Sequence, residues 1–599
     1  ADNSRFDTSY IDYITYALES EYQYITLSND NESGIHGVII PKFTARNGSH
    51  KFRFAIDFGT TNTHIEYSVD GSTSSNPFDI TEKDMQIQKL HITDDYMIND
   101  VFNSDFIPAT IGGESLYGYP MRTVISESNN TNWDKAVLAM ANVNIPYTYE
   151  KSLSLPYNVL HTDLKWSTNT EDKKRASKYI ESILLMLRTK VLLNNGDLSK
   201  TEIVWFYPAS MTQNRFNKFK AEWENTFATL FGAPISNIIA ASESVAPYYY
   251  HKAKKGATST VVSVDIGGGT TDVLIVDKGE PKYLTSFRFA ANTIFGDGYS
   301  YDSDSNGFVN KYTDIITNQL ETNNLRGLKA VLKSVLDKRV STDVIAFLFS
   351  LASNKEIKKE KVEINFAKML ADDNRGKYVV ILFYVAIVYH IAKLMKAKGF
   401  DMPRHMTFSG NGSKVLNILS TNDATLVRLT KIIFEEIYAQ SYSIDGLDII
   451  RPANSKESTC KGGIILTPFQ SQDYGEIKDM KTILIGTDNE KFADVHMTYN
   501  DVTEADLDSV VDVIKEYIEF TFKLDKKFSF YDNFDVDRSI MNKVKDLCYR
   551  DIRTYLENGL AIKKSEIAQD GADDNLEETL FFYPLVGIIN AVVRNIYQM

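Results

Sequence analysis

The chain has 599 residues, 43% of them apolar, a formal net charge of -14 and two cysteines. That length supports several domains or two large lobes with full cores. The acidic balance, with no Lys/Arg-rich run, excludes the electrostatic footprint of a nucleic-acid binder. Cys460 and Cys548 alone make neither a disulfide framework nor a cysteine zinc site, and they fit a reducing, cytoplasmic compartment. The nine histidines show no metal-ligand spacing. The longest apolar run, Val379 to Ala392, is shorter than the roughly 20 residues of a bilayer span and contains His390, so it reads as a buried helix rather than a membrane span.

Residues 1–50 read as an accessory segment, in which "YIDYITYALESEY" fits a helix and "IHGVIIPKF" a strand. "RFAIDFGTTNTHIEYSV" alternates apolar and polar residues on both sides of a turn, the pattern of a hairpin. Asp105 to Pro120 reads as short strands and turns. Ala176, Tyr179, Ile180, Ile183, Leu184, Leu187 and Val191 recur at helical spacing, with Gly196 as the stop. A buried strand, "EIVWFYPAS", follows, then an amphipathic helix with Phe216, Phe219, Trp223 and Phe227 on one face. "VVSVDIGGGTTDVLIVDKG" repeats the strand–turn–strand pattern of the first hairpin: Asp57, Gly59, Thr60 and Thr61 match Asp265, Gly269, Thr270 and Thr271. Residues from about Lys311 to Lys398 are mainly helical. "RHMTFSGNGSKVLNIL" gives strand, glycine turn and helix, and "CKGGIIL" a helix start rich in small residues. Beyond Thr467 the pattern predicts a hairpin ("TILIGTDNEKFADVHMTY") and a helix with Thr503 and Asp506 placed as a capping pair. An acidic loop from Asp570 to Glu578 and an apolar C-terminal stretch that docks on a core follow. The resulting divisions are 1–50, a first lobe 51–255, a second lobe 256–466, and a mixed α/β extension 467–599 packed on the lobes.

The repeat has a chemical reading. Glycines at a strand end turn several N–H groups toward one point, which makes an anion-binding concavity, and threonine hydroxyls add donors. An aspartate at the end of the incoming strand brings negative charge close to any phosphate held there. Mg²⁺ between them removes the conflict, because it binds few carboxylates alongside waters and phosphate oxygens. Two copies about 200 residues apart point to two similar lobes, each offering a phosphate clamp to one nucleotide.

Order and spacing of the motifs resemble the actin, hexokinase and seventy-kilodalton heat-shock chaperone superfamily, over about Phe52 to Leu466. "IDFGTTNT" is similar to its first phosphate motif and "VDIGGGTTD" to its second. "SESVAPYYY" is similar to its first connecting motif, "FSGNGSK" to its adenosine motif and "KGGIIL" to its second connecting motif. The resemblance implies two ribonuclease-H-like lobes with ATP or ADP and Mg²⁺ between them. It implies that Asp57 and Asp265 hold the metal through water. Gly59, Thr60 and Thr61 contact phosphates from one lobe, and Gly267, Gly268, Gly269 and Thr270 from the other. Glu243 orders the attacking water. Gly410, Gly412 and Ser413 line the nucleoside pocket, with Lys414 beside the base.

Departures qualify the activity. Ser244 stands where the chaperones carry proline, and the first-lobe lysine they place near the γ-phosphate has no clear counterpart, Arg122 being nearest by context. No run of short strands after Leu466 marks a peptide-binding sandwich. The resemblance therefore implies a slow ATPase that changes shape with its nucleotide and acts on a protein client. A self-associating cytoskeletal filament protein and a nucleotide-binding scaffold without turnover stand beside it as alternatives. His64 reads as a strand residue, Tyr248 to Tyr250 as helix packing, and Lys358 to Lys361 as a solvated face.

Overall fold

The structure is a computed structural model. It describes residues 2–7, 11–15, 23–28, 36–40, 48–80, 117–118, 121–128, 143–144, 158–162, 164–165, 170–208, 211, 213–255, 260–299, 306–443, 446–452, 457–466, 498–570, 576 and 578–599. Two sheets within it share one topology. In the first, β1 (Phe52–Phe58) and β2 (Asn62–Val69) form an antiparallel hairpin, and β3 (Met121–Arg122) adds antiparallel to β2. On the other side of β1, β4 (Glu202–Tyr207) and β5 (Ile238–Ser242) run parallel, giving the order β3-β2-β1-β4-β5, with Asn76–Pro77 also pairing with β2. In the second sheet, β6 (Val261–Ile266), β7 (Thr271–Asp277) and β8 (Glu280–Phe287) form an antiparallel meander. β9 (His405–Ser409) and β10 (Asp448–Ile450) then run parallel to β6, in the order β8-β7-β6-β9-β10. Each lobe is thus the same 3-2-1-4-5 sheet, built on a glycine-turn hairpin.

The period-two alternation of β1 decides which way the first sheet faces. Phe52, Phe54, Ile56 and Phe58 pack with α1 (Thr170–Leu193) and α2 (Gln213–Phe231), where Trp205 and Trp223 stack at 5.7 Å. Ala55 packs on the opposite face, so Asp57, two residues on, points away from this core and into the space between the lobes. α1 ends where expected: the Gly196 N–H donates to the Val191 carbonyl at 2.8 Å, and a Cβ at Gly196 would meet Phe52 at 2.8 Å.

The two lobes meet on a shared core. α3 (Val245–Lys255) and α7 (Glu457–Ile465) cross there, with Ala55, Val204 and Phe206 from the first sheet and Val261, Leu274 and Val276 from the second packed around them. Gly462 and Gly463 lie inside α7, toward its end, rather than at the helix start read from sequence. Close approach requires them: a Cβ at Gly462 would lie 1.9 Å from the Ala246 carbonyl oxygen, and one at Gly463 would lie 2.5 Å from the Phe206 ring.

The outer face of the second sheet is covered by helices. α4 (Ala291–Phe295), α5 (Gly307–Thr322) and α6 (Lys377–Ala397) form one core with it. α6 carries the long apolar run and is apolar enough to cross a membrane by length and composition, yet 94% of its apolar window is buried in that core. The described part of the C-terminal extension is helical. α8 (Glu504–Phe528), α9 (Ile552–Asp570) and α10 (Phe582–Asn595) join the same core, Phe582 stacking on Phe287 at 4.0 Å. Thr503 and Asp506 form the expected capping box of α8. Nearly all of the hairpin read before it, and most of the acidic loop 570–578, lie outside the described residues. At the N-terminus, Ile11–Thr15 is a strand paired with Asp2–Asp7, not part of a helix; the β-branched and aromatic alternation of "IDYIT" outweighs the helical spacing there.

Candidate functional site

Between the lobes lies a cavity of about 880 Å³, and both glycine turns open onto it. Gly59, Thr60 and Thr61 reach it from the β1–β2 turn, and Gly267 to Thr270 reach it from the β6–β7 turn. The turns nearly touch: a Cβ on Gly268 would sit 3.0 Å from the Thr61 hydroxyl of the other lobe. Asp57 and Asp265 line the cavity from the ends of β1 and β6, and Glu243 from the step between β5 and α3. Gly410, Gly412 and Lys414 also line it. Ser413 does not; its hydroxyl donates to the Gly410 carbonyl at 2.7 Å and braces the turn from behind.

The third glycine turn is packed onto the second phosphate strand. Gly410 has φ of 78°, and a Cβ there would fall 2.3 Å from Asp265 Oδ1. At Gly412 it would fall 2.1 Å from the Gly267 carbonyl oxygen. A glycine is needed at both positions, at Gly410 for the left-handed backbone as well as for the space.

Five carboxylates line the cavity: Asp57, Glu243, Asp265, Asp272 and Asp343. Asp272 sits directly opposite Asp265 in the β6–β7 register and is 2% exposed. Burial, and then the charges of Glu243 and Asp265, push its carboxyl well above the ordinary carboxylate range. Asp265 is held by hydroxyls, accepting from Ser409 Oγ at 3.0 Å and from Thr459 Oγ1 of α7 at 3.5 Å. The balancing cation is Lys165, 4% exposed, whose ammonium donates to Glu243 Oε1. Arg122 also borders the cavity, its guanidinium on Asn62 Oδ1 at 3.3 Å. Ser244 is fully buried behind Glu243, outside the cavity lining.

At the far end of the cavity, Phe295, Ile345 and Phe349 make an apolar wall edged by Asn365 and Lys368. Lys358, Lys359 and Lys361 stay on the solvated face, outside the lining. His64 is fully buried in β2 with Nε2 3.1 Å from Glu66 Oε1 and does not line the cavity. Lys165, Asp272, Thr459 and Lys368 were not found from sequence. Asp272 was within reach, because a hairpin with its turn between Ile266 and Thr271 pairs Asp265 with Asp272 by counting alone. Lys165 carries no local signature in the sequence.

No family profile and no curated protein matches the chain. Among solved structures it is similar to MreB5 of Spiroplasma citri bound to ADP, at 12% identity and a TM-score of 0.30 over 71% of this chain and 98% of that one. A non-polymerising MamK mutant bound to AMPPNP matches at 13% identity and a TM-score of 0.30 over 69% of this chain and 98% of that one. The ethanolamine utilization protein EutJ from Carboxydothermus hydrogenoformans matches at 10% identity and a TM-score of 0.27 over 69% and 90%. Similarity this low carries no functional argument. The duplicated 3-2-1-4-5 sheets, the hairpin turns that face each other and the two crossing helices between the lobes are internal to this chain, and they make its fold the two-lobe α/β fold of the actin and seventy-kilodalton chaperone kind.

Proposed function

We propose that the chain binds ATP or ADP with magnesium in the inter-lobe cavity and hydrolyses ATP slowly. The observation that carries this reading is the convergence of two duplicated glycine–threonine turns, five carboxylates and one buried lysine on a single cavity. Backbone N–H groups and threonine hydroxyls from both lobes suit phosphate oxygens. The donor set also fits a divalent ion. Oxygen ligands dominate, with Asp57, Glu243 and Asp265 lining the same cavity as both turns. Asp57 and Asp265 would hold Mg²⁺ through water, and bound there it supplies charge neutralisation between phosphate and carboxylate. The apolar wall of Phe295, Ile345 and Phe349 suits a flat base, and the Gly410–Gly412 turn borders the same cavity.

In this reading Glu243, which lines the cavity, orients a water and accepts its proton, at Oε1 or Oε2. In this structure Oε1 is taken by Lys165. A ligand phosphate would compete for the Lys165 ammonium and leave Glu243 free for water. The same ion pair favours a second reading, a nucleotide-binding scaffold with little turnover, if Lys165 never releases the carboxylate. Calorimetric titration with ATP–Mg²⁺ and with EDTA present tests binding, and phosphate release tests turnover. Magnesium-dependent binding with release above background supports the ATPase. Binding without release supports the scaffold, and no binding at millimolar nucleotide refutes both.

A further inference from the structure

The first phosphate turn poses a mechanical problem. Gly59 is conformationally permissive, so its peptide plane is free to rotate unless something outside the turn holds it. The second turn solves this with backbone: the carbonyls of Gly267 and Gly268 accept from the N–H groups of Ala291 and Asn292, at 3.2 and 2.8 Å, at the start of α4. Among the described residues no helix start donates to the first turn in the same way. Instead Thr123, the residue after β3, takes two of its carbonyls, those of Gly59 and Thr61. Thr123 Oγ1 donates to the Gly59 carbonyl at 2.7 Å, and the Thr123 N–H donates to the Thr61 carbonyl at 2.9 Å.

Thr123 is itself oriented. Its hydroxyl lies 2.9 Å from Thr63 Oγ1, and Tyr179 OH of α1 donates to Thr63 Oγ1 at 2.9 Å. All three side chains are at most 1% exposed. Each hydroxyl has one proton, and a carbonyl can only accept. The Gly59 carbonyl therefore consumes the Thr123 proton, Thr63 donates to Thr123, and Tyr179 donates to Thr63 at 2.9 Å, with the Arg122 carbonyl at 3.3 Å as a second, longer acceptor of the same proton. The relay runs in one direction, from Tyr179 through Thr63 and Thr123 to the Gly59 oxygen, and each bond polarises the next. In a trans peptide the C=O and the following N–H point in opposite directions. Thr123 borders the same cavity, and holding the Gly59 carbonyl on its hydroxyl turns the Thr60 N–H to the opposite side of the peptide.

We infer that Thr123 is a positioning residue for the phosphate site, which with the Tyr179–Thr63 relay holds the Gly59–Thr60 peptide with its N–H presented to a phosphate oxygen. The inference rests on the nucleotide reading above and adds to it the residues that preset the first clamp. Without the Thr123 hydroxyl the glycine peptide is free to flip, its carbonyl then facing the phosphate and repelling it.

The test is titration of the full chain with ATP–Mg²⁺, ADP–Mg²⁺ and adenosine. Thr123→Val keeps the shape and removes the hydroxyl, and it is expected to weaken ATP and ADP about tenfold, the equivalent of one hydrogen bond, with adenosine unchanged. Thr123→Ser restores the donor and should bind ATP within about threefold of wild type, well inside the loss of one hydrogen bond. Tyr179→Phe removes the outer link, together with the longer bond to the Arg122 carbonyl, and should weaken ATP by a smaller factor; it is read in place of Thr123→Val if that variant does not fold. Equal loss of ATP and adenosine, a full loss in Thr123→Ser, or wild-type ATP affinity in both Thr123→Val and Tyr179→Phe overturns the inference. Wild type that binds no ATP overturns the nucleotide reading itself, and this one with it.

Discussion

Gly269 separates a glycine kept for a ligand from one kept for the fold. A Cβ added there meets nothing within 4 Å, and its backbone is not in the left-handed region, whereas the same addition at Gly412 strikes the Gly267 carbonyl at 2.1 Å. Gly269→Ala should therefore leave the free protein intact. By narrowing the unfolded ensemble it should even gain about 0.4–1 kcal/mol. The site is where it should fail. A methyl group set against a phosphate oxygen that approaches the backbone is overpacked, at a cost of about 1–3 kcal/mol. Taking about 1.4 kcal/mol, ATP–Mg²⁺ affinity falls tenfold. At a concentration one hundred times the wild-type Kd, the stabilisation by ligand then drops from about 2.7 to about 1.4 kcal/mol. Calorimetric titration gives the affinity, and urea unfolding with and without ATP–Mg²⁺ gives the two stabilities. Unchanged affinity would mean that no phosphate lies against this turn. A loss of stability without ligand would mean that the glycine serves the fold, and either result refutes the reasoning.

Glu243→Gln retains an acceptor for Lys165 but not the charge, so ATP binding should stay near wild type. Hydrolysis should slow about ten- to a thousandfold, a barrier increase of about 1.4–4 kcal/mol; normal phosphate release by the variant would remove Glu243 from the chemistry. Gly462→Ala gains about 1 kcal/mol of helix propensity, yet places its Cβ 1.9 Å from the Ala246 carbonyl oxygen. Overpacking of about 1–3 kcal/mol should prevail, and a variant more stable to urea than wild type would show that α3 and α7 do not need this contact. His390 is buried among Phe287, Phe581 and Phe582, and burial lowers its pKa to about 3. Because the folded value lies below the unfolded one, stability is full above about pH 6.5 and declines as pH falls toward 3. This one group should cost about 1.4 kcal/mol at pH 5.5. His390→Leu should remove that part of the slope between pH 7.5 and 5.5, which urea midpoints at the two values measure.

The parts of this protein legible without coordinates are those whose causes are local in the chain. A hairpin shows as period-two alternation around a glycine turn, α1 as a 3.6-residue period ending at Gly196, and α8 as a stripe behind the Thr503–Asp506 cap. Duplication of the turn motif was enough to anticipate two facing lobes. The same locality explains the errors: "IDYIT" satisfies strand and helix patterns over so few residues that pairing with Asp2–Asp7 decides, and the glycines of "CKGG" look like a helix start until α3 is seen crossing them. The cavity's chemistry depended on approach in space. Lys165 and Glu243 are 78 residues apart, and Tyr179 and Thr63 are 116 apart. No local pattern marks either pair, because a hydrogen bond or an ion pair requires only that two groups meet with matched geometry and little water, and the packing of the two sheets supplies that.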